Sequence, residues 1–191
     1  MRFFKYNAYL FFLLSFSIIA EPSTKLPKHH PLRVDREVLD RPNSVRQFSY
    51  NVNKKFEGVS DRFGSGDLDG AMETLESMLK WNLSKYEKAV VYQFMGFVFV
   101  QQNKIDNAIN VFSKTVDLNV LSNTQHQSTQ FNLASLYGSK EEWDLTIDAL
   151  MKFYEFEREP VAESYIMTGI AYFQKGLPLE ALPYIHIANQ K

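Results

Sequence analysis

From about Val45 onward, apolar residues recur at spacings of three and four, the rhythm of helices with one buried face. The clearest stretch runs from Ala89 to Ser122, AVVYQFMGFVFVQQNKIDNAINVFSKTVDLNVLS. Tyr92, Met95 and Phe99 share one face of a first helix, and Gly96 removes bulk where a second helix must approach. Ala108 and Phe112, four apart, supply a small and a large side chain on that second helix. A helix, a turn and a helix are therefore expected here. The pattern repeats. A small residue opens the second helix of each unit at Ala71, Ala108, Thr146 and Ala181, with spacings of 37, 38 and 35. The first unit, about Val45 to Leu83, is the most degenerate, with Gly58 and Val59 where the second has Met95 and Gly96. The third, about Gln127 to Pro160, keeps Leu133, Ala134, Tyr137, Trp143 and Leu150, and the fourth runs from Ala162 to Lys191. Pro160 and Pro178 stand where helices begin, where a missing amide proton costs nothing.

This large-small-large order resembles the tetratricopeptide repeat (TPR), whose period is about 34 residues, so the extra residues must lie in the turns between units. The expected fold is all-α, a TPR-like right-handed α-α solenoid of about four helix-turn-helix units spanning residues 44–191. From about Arg41 the chain is similar to the periplasmic TPR proteins of TonB/ExbB/ExbD energy-transduction systems in gammaproteobacteria. Three runs carry that resemblance: LSKYEKAVVYQFMGFVF from Leu83, QSTQFNLASLY from Gln127 and AYFQKGLPLEAL from Ala171. It implies a non-enzymatic scaffold for a protein partner, a component of a TonB-type complex. A general envelope-assembly or peptidoglycan-linked adaptor of the same fold is the alternative. Such proteins continue through further repeats, and the pattern leaves open whether residues follow Lys191.

Ahead of the repeats the pattern changes twice. Arg2 and Lys5 precede the apolar run Ala8 to Ala20, which is too short for an ordinary membrane span and suits a signal peptide over residues 1–20. Cleavage after Ala20 would begin the mature chain at Glu21; a cut after Ser17 or an uncleaved anchor is the alternative. A periplasmic location with no membrane insertion after cleavage follows from that reading. Residues 21–43 carry Pro22, Pro27, Pro31 and Pro42, which break helices, and read as a proline-rich flexible linker or extended arm. Adjacent His29 and His30 in such a segment cannot present two nitrogens from one rigid face, so they read as solvated rather than metal-ligating.

Composition narrows the function classes. A formal charge of −1, with no Lys/Arg cluster on a helix face, gives no field for nucleic acid. The absence of cysteine removes disulfides, thiolate metal sites and thioether haem attachment. Ser65 to Glu76 places Asp67, Asp69, Gly70 and Glu76 at calcium-loop spacing, but Ser65 stands where the first carboxylate belongs. The same residues fit a turn between helices, which leaves a calcium-regulated module as the lesser alternative function. Glu141, Glu142 and Asp144, and Glu155, Glu157 and Glu159, read as solvated carboxylates without a nucleophile nearby; His126 and His186 are isolated. No catalytic residue, cofactor or metal is expected.

The inner face of the first helices is the informative surface. Phe56, Phe63, Val90, Gln93, Phe97, Val100, Phe131, Ile166, Ile170 and Phe173 project toward it, making an apolar and aromatic groove. TPR grooves that grip a terminal carboxylate use Lys, Arg and Asn where this chain has Gln93, Phe97 and Phe131, so a partner helix or an apolar strip fits better. The competing reading is that neighbouring repeats, or the arm folded back, cover these rings.

Overall fold

The computed structural model describes residues 26–33, 35–40 and 47–191. The expected signal segment lies outside the described residues. Among the described residues eight helices follow in order: α1 (Tyr50–Gly64), α2 (Leu68–Met78), α3 (Lys85–Gln101), α4 (Ile105–Asp117), α5 (Asn123–Ser139), α6 (Trp143–Phe156), α7 (Ala162–Gln174) and α8 (Pro178–Ala188). There is no strand among the described residues. Each helix packs on the next, and α5 also touches α7, so first helices of neighbouring units lie side by side. The fold is the expected all-α TPR-like solenoid.

The backbone repeats as regularly as the side chains. One left-handed residue ends the first helix of every unit: Gly66 (φ 84°), Asn103 (56°), Glu141 (61°) and Gly176 (76°). Each stands five positions before the small residue that opens the second helix. The amide of the following residue reaches back to the last turn, Asp67 to Arg62, Lys104 to Phe99, Glu142 to Tyr137 and Leu177 to Tyr172, at 2.8 to 3.0 Å. This is the hydrogen-bond pattern of a Schellman stop, which favours glycine because a Cβ crowds the left-handed conformation. Two units meet the requirement with glycine, one with asparagine, and the third strains a glutamate into it. In the first unit Asp67 also caps α2 by accepting from the Gly70 amide at 3.0 Å. Asp67 thus belongs to an inter-helix turn, and Asp69 and Glu76 lie on α2 itself.

Two cores result. Val52, Val59, Leu75, Met78, Val91 and Val98 lead the core of the first two units. Phe112, Leu133, Leu150, Tyr154, Tyr165 and Tyr184 lead the core from α4 to α8. Gly96 has its expected role, since a Cβ there would overlap the Phe112 ring. Gly169 is its counterpart in the fourth unit, where a Cβ would meet Ile185 Cδ1 at 2.5 Å.

Candidate protein-docking surfaces

The ten residues expected to line the groove divide into three groups. Val90 and Gln93 are buried, at 8% and 7% exposure, and line no open surface. The reason is lateral packing of first helices: Gln93 Nε2 donates to Thr129 Oγ1 at 2.8 Å and to the Gln125 carbonyl at 3.2 Å, both on α5. Phe56, Phe63, Phe97 and Phe131 are partly buried and committed to other rings. Phe56 and Phe63 meet Phe94 edge to face, with centroids 5.0 and 5.3 Å apart. Phe97 meets Phe112 at 5.5 Å and Phe131 meets Phe153 at 5.5 Å. Val100, Ile166, Ile170 and Phe173 remain exposed, at 40%, 43%, 46% and 57%.

The last three form a continuous stripe. Spaced by four and three, Ile166, Ile170 and Phe173 lie along one side of α7, about 10 Å long at the helical rise of 1.5 Å per residue. Their neighbours on the helix anchor it from the other side. Tyr165 is buried, and Thr168 Oγ1 donates to the Ser164 carbonyl at 2.8 Å and accepts from the Tyr154 hydroxyl at 3.0 Å. Burial pushes the Tyr154, Tyr165 and Tyr184 hydroxyls above the ordinary phenol range, so they stay protonated and neutral. An apolar stripe on a rigidly held helix is a surface a second protein can use.

Sequence reasoning missed three ties because each joins segments far apart in the chain. Glu87 is 5% exposed, yet its two carboxylate oxygens accept the amides of Ser49 and Ser84, each at 2.8 Å. It thereby caps α1 and α3 together. Desolvation pushes this carboxyl up, but the amide bonds from Ser49 and Ser84 outweigh it and hold the pKa at about 2. The capping box Ser84-x-x-Glu87 was a legible signal for the start of α3; its second amide, from Ser49, was not.

The second and third ties involve the proline-rich arm. Its described part is a loop closed on itself, with Glu37 N donating to the Lys28 carbonyl at 3.0 Å and Lys28 Nζ to Glu37 Oε1 at 2.8 Å. That loop lies on the third and fourth units. Arg36 donates to the carbonyls of Tyr154 and Glu157, both at 2.7 Å, and of Arg158 at 3.0 Å. Leu39 N donates to the Glu155 carbonyl at 2.8 Å, and Asp40 pairs with Arg158 at 2.9 Å. At the other end Pro31 is buried, Leu32 packs on the second core, and His30 Nε2 lies 3.1 Å from the Tyr184 hydroxyl. His30 is therefore not the solvated histidine expected; the docked loop shields it, and burial lowers its pKa. His29 donates through Nδ1 to the Glu37 carbonyl at 2.9 Å, inside the loop. With the arm in place, the α7 stripe is still uncovered.

The remaining candidates have local partners. Glu142 and Asp144 pair with Lys140 and Lys175, and Lys140 is raised by Asp106 first and by Glu142 next. His126 is buried against Phe156, with ring centroids 5.2 Å apart, and His186 meets Gln190 at 2.9 Å on the surface. Among the described residues no group of three or more His, Asp or Glu could hold a metal ion, and no helix is long and apolar enough to cross a membrane.

Comparison with solved structures gives the fold an independent footing. A crystal structure of MamA is 24% identical over 73% of this chain and 77% of its own, with a TM-score of 0.62. A second MamA crystal structure gives 24%, 73%, 72% and 0.62, and MamA AMB-1 gives 23%, 76%, 76% and 0.61. These neighbours are helical solenoids of TPR type. No protein-family model and no curated protein matches the chain.

Proposed function

We propose that this chain is a protein-interaction scaffold whose docking surface is the α7 stripe of Ile166, Ile170 and Phe173. The observation that carries the reading is that all three of these groove positions stay open, while two of their three counterparts in the second unit, Gln93 and Phe97, are packed away. A stripe of this length and spacing fits the apolar side of one amphipathic helix from a partner. The finer assignment, a periplasmic scaffold of a TonB-type complex, rests on the resemblance of the repeat runs and on the amino-terminal apolar segment alone. The neighbours of known structure support the fold and bear on no particular partner.

Site-specific photocrosslinking tests both levels. A benzoylphenylalanine at position 173 is expected to trap a defined protein species in cells, and the same probe at exposed Asp148 on α6 is not. Identical adduct patterns from the two positions would reject the stripe. If the trapped species is a component of an energy-transduction complex, the finer assignment holds; an envelope protein of another kind replaces it with a general adaptor.

A further inference from the structure

The carboxy-terminal end of α6 is supplied with donors from elsewhere. The last carbonyls of a helix have no partner within it, and α6 ends at Glu157 in an extended conformation without the backbone stop that closes α1, α3, α5 and α7. Five consecutive carbonyls, 154 to 158, nonetheless each accept a hydrogen bond. Arg36 serves Tyr154, Glu157 and Arg158; Leu39 N serves Glu155; and Gln127 of α5 serves Phe156. Four of the five thus depend on the arm. A planar guanidinium suits this place, because it donates in several directions at once and the helix dipole leaves partial negative charge there. Beside it lies an apolar notch where Leu32 packs on the cluster that includes Tyr184, whose ring stacks on Tyr172 at 5.4 Å, and Pro31 just before it is buried.

The loop that occupies these features is closed by its own bonds between Lys28 and Glu37. Its contacts across the chain, among those described, go to α5, α6, the segment just after α6 and α8, all far in sequence from α1. Nothing in the contact chemistry requires the loop to be covalently joined to the surface it covers.

We propose that the end of α6 and the adjoining notch at α8 form a receptor for an arginine-bearing peptide loop, and that the arm is its resident ligand. The recognised element is Pro-Leu followed by arginine four residues after the leucine, as in Pro31, Leu32 and Arg36. A partner protein displaying this element takes the receptor by displacing the arm. This surface is separate from the α7 stripe, and its test does not depend on that reading.

The experiment uses the full chain and a labelled synthetic peptide of residues 26–40, with binding read by fluorescence anisotropy. In the chain, Leu32→Ala with Arg36→Ala weakens the resident arm without altering the receptor. The wild-type peptide is expected to bind this variant at least tenfold more tightly than it binds the wild-type chain. A peptide carrying Arg36→Ala should lose at least tenfold on the same variant, and Arg36→Lys should not restore it. Should the double variant be poorly folded, Arg36→Ala alone is melted with and without peptide, and a rise in Tm with peptide is expected. Equal affinity for variant and wild type, insensitivity to the peptide arginine, or no rise in Tm would overturn the proposal and leave the arm a structural cap only.

Discussion

The second and fourth units start from the same repeat positions and end with different surfaces. Gln93, Phe97 and Val100 on α3 correspond to Ile166, Ile170 and Phe173 on α7. On α3 the first is buried against Thr129, the second is wedged against Phe94 and Phe112, and only Val100 is open. On α7 all three are open. The difference comes from what lies beside each helix. α5 takes up Gln93 and α4 supplies the Phe112 ring to Phe97, while the three α7 residues meet no covering helix among the described residues. A groove position is therefore not a groove surface until the next helix has been placed.

Substituting the shared small position should break this comparison most visibly. Gly96→Leu drives a side chain into the buried Phe112 ring and is expected to cost about 3 kcal/mol, as overpacking of a rigid core does. Gly169→Leu meets Cδ1 and Cγ1 of Ile185, an aliphatic side chain only partly buried and so freer to shift than the buried Phe112 ring, and should cost less. Chemical denaturation of the two variants measures the gap. Coincident curves would mean that the two units are equally tight.

Next in size is Glu87→Leu, which leaves the Ser49 and Ser84 amides without their acceptor and should cost about 2 kcal/mol. The same group sets an acid limit. With its folded pKa held at about 2, below the ordinary 4.5, the contribution is fully present above 4.5 and is lost as pH falls toward 2. Urea midpoints for wild type should fall through that window more steeply than those for the variant.

The fourth unit has a pH sensitivity of its own. The Leu32 amide donates to His30 Nδ1 at 3.3 Å, so the neutral ring carries its proton on Nε2 and offers it to the Tyr184 hydroxyl. Burial lowers the His30 pKa, so the unfolded chain binds this proton first as pH falls below 6.5, and stability declines from there down to the lowered value. The groups packed around this ring are Tyr184 of α8 and the arm itself, in which Lys28 pairs with Glu37 and Arg33 with Asp35. A His30→Gln variant should flatten Tm against pH over that interval; an unchanged slope would remove His30 as its source.

Smaller still is Glu141→Gly. It relieves a left-handed glutamate at φ 61° but loosens the unfolded chain, and a net gain of about 0.5 kcal/mol is expected from thermal melts. Least of all, Ile166→Ser with Ile170→Ser, made with the photoprobe kept at position 173, should leave stability within about 0.5 kcal/mol, because both side chains are already exposed. The crosslink expected at the α7 stripe should nonetheless vanish.

What the sequence by itself determined was everything governed by near neighbours. Apolar spacing located the helices, and the small residues Ala71, Ala108, Thr146 and Ala181 set the register of the units. Ser84 with Glu87 encodes a capping box that apolar spacing alone did not pick out, and Gly66 and Gly176 mark two of the four turns. These features are legible because helix periodicity and capping act over three to five residues. Only the tertiary structure decided which inner positions stay open, where Arg36 sends its guanidinium, and that Glu87 serves two helix starts at once. Arg36 and Tyr154 stand 118 residues apart, and Ser49 and Glu87 stand 38 apart. No local pattern encodes such pairs, since buried carbonyls and amides accept whichever donor or acceptor the completed packing brings within reach.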